Sequence, residues 1–344
     1  MKNHNRKGGA AVIAILVVIM LVCIGTAVLI ITGRKQIEAI SPASAPDSSS
    51  SVTESQADDD SSEEETPVSL YPVREETYKD INLKNISCKA SMLVNASSNT
   101  IVAGHNYSKR IYPASLTKML TLLVAVENTD DMDKTYTFTS KDIDPLVKEN
   151  ASVAGFAPGE KVKVKDLLYA SILVSGADGT LGLAKTVAGS EEKFVQMMND
   201  KIEELGLTGT QFVNVSGLHD KKHYTTLQDL AVITKECLNN ETCKKILTTK
   251  VYRTAKTKQN PKGIKLESLV HKRLEGYYVD TNHDEKADAT ILGGKSGFTD
   301  EAMFTLSTIC KYKGEYYICL TAKSITQDGA TADQVAIYEK YLPK

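Results

Sequence analysis

The feature that most limits what this chain can fold into is the break in composition near residue 71. Ala10–Thr32 is a run of 23 residues without a charge, bounded by Lys2, Arg6 and Lys7 on one side and Arg34-Lys35 on the other. At ~1.5 Å per helical residue the run is ~35 Å long, sufficient for a bilayer core of ~30 Å. It exceeds the 7–15 residues expected of a signal-peptide core and is closed by the charged pair Arg34-Lys35, so it predicts an uncleaved membrane anchor behind a short basic tail at residues 1–9. From Gln36 to Val73 there is no lysine or arginine, while nine acids and many serines occur, including Asp58-Asp59-Asp60 and Glu63-Glu64-Glu65. Such a segment buries too little apolar surface to offset its ordering entropy, and residues 33–70 read as an extended acidic spacer. What remains, residues 71–344, must form the folded unit alone. Its net charge is close to +2, from −2 overall with +5 around the apolar run and −9 in the spacer. That balance offers no basic surface for nucleic acid.

Within the folded unit, Lys89–Asn95 and Thr100–Ala103 read as a hairpin turning at Ser97-Ser98-Asn99. A helical block follows. Pro113-Ala114-Ser115 opens a helix to Val126, and further helices are expected at Val164–Val174, about Asp178–Val187, Glu191–Leu205 capped by Ser190, and from Thr225 or Thr226 to Asn239-Asn240. The tail returns to strands at Ala289–Ser296, Met303–Tyr312 and Glu315–Ser324, then a helix at Ala332–Tyr341. This order predicts an α+β fold: one antiparallel sheet flanked by N- and C-terminal helices, with a mostly helical insertion and a site at the seam. Cys237 with Cys243, and Cys310 with Cys319, are spaced so that either pair can form a disulfide outside the cell.

Ser115-Leu116-Thr117-Lys118 places a hydroxyl and an amine on one helix face. A serine needs a base, and a desolvated lysine is one. The spacing alone is weak, since Ser190-Glu191-Glu192-Lys193 repeats it where a helix cap and a solvated charge suffice. Two other stretches add weight. Ser175-Gly176 interrupts two helices, and Lys295-Ser296-Gly297 ends a strand, where a lysine and a hydroxyl can bind a carboxylate and glycine lets a ligand backbone approach. The three parts in this order form the set found in penicillin-binding proteins and class A β-lactamases. Metal patterns are poor. His219 and His223 flank an apparent loop, and Asp280, Asn282 and Asp284 lack the glycine and closing glutamate of a calcium loop.

From about Lys89 to Lys344 the chain resembles the D-alanyl-D-alanine carboxypeptidase family of low-molecular-mass penicillin-binding proteins. The resemblance is carried by Pro113–Lys118, Leu173-Val174-Ser175-Gly176 with Asp178, Thr210–Asn214 with Gly217-Leu218, His223–Thr226 before Asp229-Leu230, and Gly294–Asp300. It implies a β-lactamase/transpeptidase-like fold, with no cofactor and no metal. Ser115 would be the nucleophile, Lys118 its base and Ser175 a proton relay. Lys295 and Ser296, with Gly297, Phe298 and Thr299, would hold the substrate's terminal carboxylate. The N–H groups of Ser115 and Phe298 would form the oxyanion hole. The implied partners are the peptidoglycan stem peptide and β-lactam antibiotics, with the catalytic part outside the cell membrane. One position departs: the family's usual Ser-x-Asn is Ser175-Gly176-Ala177, which removes an amide that holds substrate and orients Lys118, with Asp178 or water as substitutes. Three alternatives stand beside this reading: a transpeptidase, in which an amine captures the same acyl-enzyme, and two others. One is a class A-like β-lactamase, disfavoured by the absence of a glutamate near Gln211 and Asn214. The other is a catalytically impaired wall-binding or sensory homologue.

Overall fold

The computed structural model describes residues 69–344, so the basic tail, the apolar run expected to anchor the chain and nearly all of the acidic spacer lie outside the described residues. Among the described residues no helix is long and apolar enough to cross a membrane. In chain order come β1 (Val73–Asp80), β2 (Ala90–Asn95) and β3 (Thr100–His105), then a 3-10 turn, Ala114–Thr117, that runs into α1 (Lys118–Glu127). Next are β4 (Thr135–Thr137), α2 (Ser140–Lys148), β5 (Lys161–Lys163), α3 (Val164–Leu173), α4 (Ala177–Ala188), α5 (Glu191–Glu204), α6 (Leu227–Asn239) and α7 (Glu241–Leu247). A small hairpin, β6 (Val251–Arg253) and β7 (Lys265–Glu267), leads through α8 (Leu269–Arg273) to β8 (Thr290–Thr299), β9 (Met303–Tyr312), β10 (Glu315–Ser324) and α9 (Gln327–Tyr341).

Six strands form one sheet in the order β1-β3-β2-β10-β9-β8. The hairpin β2–β3 and the meander β8–β9–β10 are antiparallel, as expected, but β1 pairs parallel to β3, so the sheet is mixed. No α-helix precedes it among the described residues, the expected N-terminal helix lies outside them, and β1 is a strand not among those expected from sequence. The reason is visible in Val73–Asp80, VREETYKD. No residue of it is buried, so it lacks the alternation that marks a strand and takes its order from pairing alone.

Both faces of the sheet are covered. On one side Met92, Val94, Ile309, Ile318 and Leu320 pack against the helical block, which contributes Leu116, Met119, Leu120, Leu123, Leu168 and Leu230. On the other, Leu93, Ala103, Cys310, Tyr317 and Cys319 meet Val335, Ile337, Tyr338 and Tyr341 of α9. Successive side chains alternate between the faces, which is why Met92–Val94 in β2 and Tyr317–Leu320 in β10 are unbroken buried apolar runs. The C-terminal helix begins at Gln327, five residues before the expected start. Thr326 caps it by accepting from Gly329 N at 3.0 Å, and the polar first turn hides this onset from periodicity. Ser190 and Thr226 cap α5 and α6 as read from sequence.

The cysteines pair in neither expected way. Cys237 and Cys243 are buried free thiols in the helical core, with Cys237 Sγ donating to Met119 O at 3.4 Å. Cys310 and Cys319 do share the α9 face, but in the register Cys310 opposes Tyr317 and Cys319 opposes Thr308, and both are free. Asp280 forms the expected polar turn, accepting from His283, Asp284 and Glu285 N at 2.6, 3.2 and 2.8 Å.

Candidate active site

The 3-10 turn Ala114–Thr117 lies where the helical block meets β8. Ala114 holds a left-handed φ of 48°, a costly conformation for alanine that persists only when its surroundings fix it. Thr117 Oγ1 donates to Ala114 O at 2.8 Å, and Thr305 Oγ1 on β9 donates to Pro113 O at 3.2 Å. Thr117 Oγ1 is also 2.7 Å from His223 Nε2, while His223 Nδ1 accepts from Val213 N at 3.1 Å. The occupied Nδ1 leaves the proton on Nε2, which donates to Thr117. Burial pulls the His223 pKa down to about 4, so the ring stays neutral and this chain of bonds stays intact. Two glycines let neighbouring backbone close in. A methyl group at Gly217 would lie 1.9 Å from Ala114 O, and one at Gly297 would lie 2.7 Å from Ser115 N.

The turn presents Ser115 to a cleft and buries Lys118, the first residue of α1. Lys118 Nζ donates to Ser115 Oγ at 3.1 Å and to Ser216 O at 2.5 Å. Asn214 shapes the loop that delivers that carbonyl: its Oδ1 accepts from Ser216 N and Gly217 N, and its Nδ2 donates to Leu218 O. Burial lowers the Lys118 pKa to about 7, against an opposing pull from the Asp178 carboxylate. At neutral pH a large share of this amine is unprotonated, and an amine in contact with a hydroxyl can take its proton.

Ser175, with a φ of 60°, occupies the break between α3 and α4, and its Oγ accepts from Lys295 Nζ at 2.9 Å. Lys295 is buried on β8 and also donates to Ser296 O at 2.6 Å. Its pKa falls well below the usual lysine value, chiefly from burial and then from the neighbouring Lys118 and Arg273. Ser115, Lys118, Ser175, Ser296, Gly297, Phe298 and Thr299 line one cavity of about 230 Å³, with Lys295 directly behind Ser175. All eight residues expected from sequence therefore converge. His219 does not join them as a metal pair with His223, lying edge-on to Tyr112 at 4.7 Å instead.

The region 76–321 matches the family model for D-alanyl-D-alanine carboxypeptidase. The chain belongs to this family. It is 30% identical to the D-alanyl-D-alanine carboxypeptidase DacF of Bacillus subtilis over 223 residues, 65% of this chain and 54% of that protein. It is 32% identical to DacC of Escherichia coli over 46% of this chain and 42% of that protein. The chain thus spans about half the length of these curated relatives. Among solved structures, the Streptomyces K15 DD-transpeptidase superposes with a TM-score of 0.64 at 25% identity, covering 75% of this chain and 99% of that one. A D-alanyl-D-alanine carboxypeptidase from Mycobacterium tuberculosis shares the fold, with a TM-score of 0.64 at 21% identity over 77% of this chain and 95% of that one.

Against the family pattern, Asp178 does not replace the amide absent at Ala177. Its carboxylate instead accepts from Ala154, Gly155 and Phe156 N at 2.9 to 3.3 Å, and from its own helix at Gly179 N. Lys118 is oriented by the Ser216 carbonyl. Sequence reasoning missed that carbonyl, the Asn150–Ser152 stretch and Arg273, all of which line the cavity. Burial lowers the Arg273 pKa, and this guanidinium adds positive charge beside Lys295.

Proposed function

We propose that this chain removes the terminal D-alanine from peptidoglycan stem peptides through an acyl-enzyme on Ser115. The observation that carries the reading is the contact between the buried Lys118 amine and Ser115 Oγ at 3.1 Å. In the first half-reaction Lys118 takes the hydroxyl proton as Ser115 Oγ bonds to the penultimate carbonyl carbon. The oxyanion so formed faces the N–H groups of Ser115 and Phe298. The C–N bond then breaks, and the proton passes from Lys118 through Ser175 to the leaving amine. Lys295 and Ser296, with the charge of Arg273 close by, hold the departing carboxylate. Water next attacks the ester, Lys118 accepts its proton, and Ser115 is regenerated. A β-lactam amide would acylate the same hydroxyl. The 23-residue apolar run would anchor the chain in the membrane with this domain outside.

The test is release of D-alanine from a diacylated D-Ala-D-Ala peptide, together with labelling by a fluorescent penicillin. Both are expected in the protein and absent from Ser115→Ala. A protein that does neither refutes the reading, and rapid turnover of the penicillin would favour a β-lactamase. The likeness to the K15 DD-transpeptidase supports a second fate for the acyl group, capture by an amine, which added D-amino acid acceptors would expose as a new peptide product.

A further inference from the structure

Ala177 places a methyl group where the resemblance to the family implies a carboxamide, a group that donates and accepts at once. A substrate peptide group that enters the cleft leaves water on both its N–H and its C=O, and loses affinity if neither finds a partner. Nothing at position 177 can answer it. Asn150 lines the same cavity as Ser115, Lys118, Ser175 and Ala177, and is the only carboxamide side chain to do so among the described residues.

Its position is fixed from both sides. Toward the C-terminus the loop is fastened to the start of α4: Ala177 N donates to Ser152 O at 2.7 Å, and Asp178 accepts from three successive N–H groups, Ala154 to Phe156. Asn150 lies two residues before Ser152, so their Cα atoms are within ~7 Å of each other. Toward the N-terminus it ends α2, with Asn150 N donating to Val147 O at 3.1 Å and Ala151 N to Leu146 O at 2.9 Å. Its φ of 52° is left-handed, which asparagine tolerates and glycine prefers. The turn consumes the backbone N–H, and the exposed residue lines the cleft with its side chain uncommitted to the turn.

We infer that the Asn150 carboxamide is a substrate-positioning group, hydrogen-bonded to the peptide group on the acyl side of the scissile bond in place of the amide missing at 177. The inference rests on the carboxypeptidase reading, and the test separates the two. In the full chain, Asn150→Gly preserves the left-handed turn and removes only the amide. It is expected to lower kcat/KM for D-alanine release about tenfold, mostly through KM, with little change in Tm. Asn150→Asp, which keeps a side chain suited to the turn but loses the donor, should fall similarly. Adding Ala177→Asn to Asn150→Gly should restore activity, because the amide returns from the other wall residue. If Asn150→Gly retains the parent KM and kcat/KM, Asn150 serves the turn alone and the inference fails. It fails equally if activity is lost only in step with Tm and Ala177→Asn does not restore it. If the unmodified protein neither releases D-alanine nor binds penicillin at Ser115, the functional reading itself is what falls.

Discussion

Ser115-Leu116-Thr117-Lys118 and Ser190-Glu191-Glu192-Lys193 have the same spacing, and each stands at the start of a helix. At Ser190 the backbone is extended, with φ −151° and ψ 162°, and the hydroxyl accepts from Lys193 N at 3.2 Å as an N-cap. Lys193 points into solvent. At Ser115 the preceding Pro113 and Ala114 are already curled, so the turn needs no cap, and the hydroxyl meets the Lys118 amine instead. Lys118 is only 2% exposed, and that desolvation brings its pKa near neutrality. A serine and a lysine three residues apart therefore become a nucleophile and base only when the backbone frees the hydroxyl and the fold dries the amine.

The largest effects should come from erasing that distinction at the first site. Ser115→Ala should abolish penicillin labelling, and Lys118→Ala should slow acylation by more than ~10³-fold, measured by stopped-flow with a chromogenic β-lactam. Residual labelling within tenfold of the parent in Lys118→Ala would assign the base elsewhere. The acylation rate should also depend on pH. Below about pH 7 Lys118 holds a proton and cannot accept another, so the rate should fall about tenfold per pH unit. A profile flat from pH 5 to 8 would contradict this. The sign for stability follows from the same shift. The folded pKa is depressed from 10.5 to about 7, so the unfolded chain binds more protons between these values. This group's contribution to stability accordingly rises with pH across that window.

The glycines beside the two serines sharpen the contrast. Gly217, at φ 82°, abuts Ala114 O, whereas Gly189, also at φ 82°, has nothing within 4 Å of an added methyl group. Gly217→Ala should displace the Ala114–Thr117 turn, with a clear drop in both acylation rate and Tm. Gly189→Ala pays only the left-handed backbone penalty of about 1–2 kcal/mol and should acylate at the parent rate. Equal loss of activity in the two variants would mean that the close approach of Gly217 does not set the turn.

What the sequence made legible follows the same division between local chemistry and tertiary placement. The side chains at Ser115, Lys118, Ser175, Lys295 and Ser296 carry distinctive groups in short motifs, and all of them converge. The Ser216 carbonyl that orients Lys118 was invisible, because every residue owns a carbonyl and only the Asn214 turn selects this one. Arg273 was one cation among 41 lysines and arginines until α8 placed it in the cleft. The strands buried on both faces were readable as apolar runs, but β1, polar on both sides, was not. The helices α2 and α7 escaped for a related reason. The first is mostly exposed and contains Pro145, and the second is capped by Asn240, the same residue that closes α6.

The smallest effects should come from the second serine and lysine. Ser190→Ala removes one N-cap bond, for which the expected loss is about 1 kcal/mol of stability in a denaturant titration, with kcat/KM unchanged. Lys193→Ala changes an exposed charge and should stay within about 0.5 kcal/mol of the parent. These two variants matter because they hold spacing constant while changing environment. If Ser190→Ala lowered acylation as strongly as it lowered stability, the two motifs would not be independent. The neighbouring Glu191, whose carboxylate accepts from Val215 N, would then be transmitting the change to Lys118 through the Ser216 carbonyl.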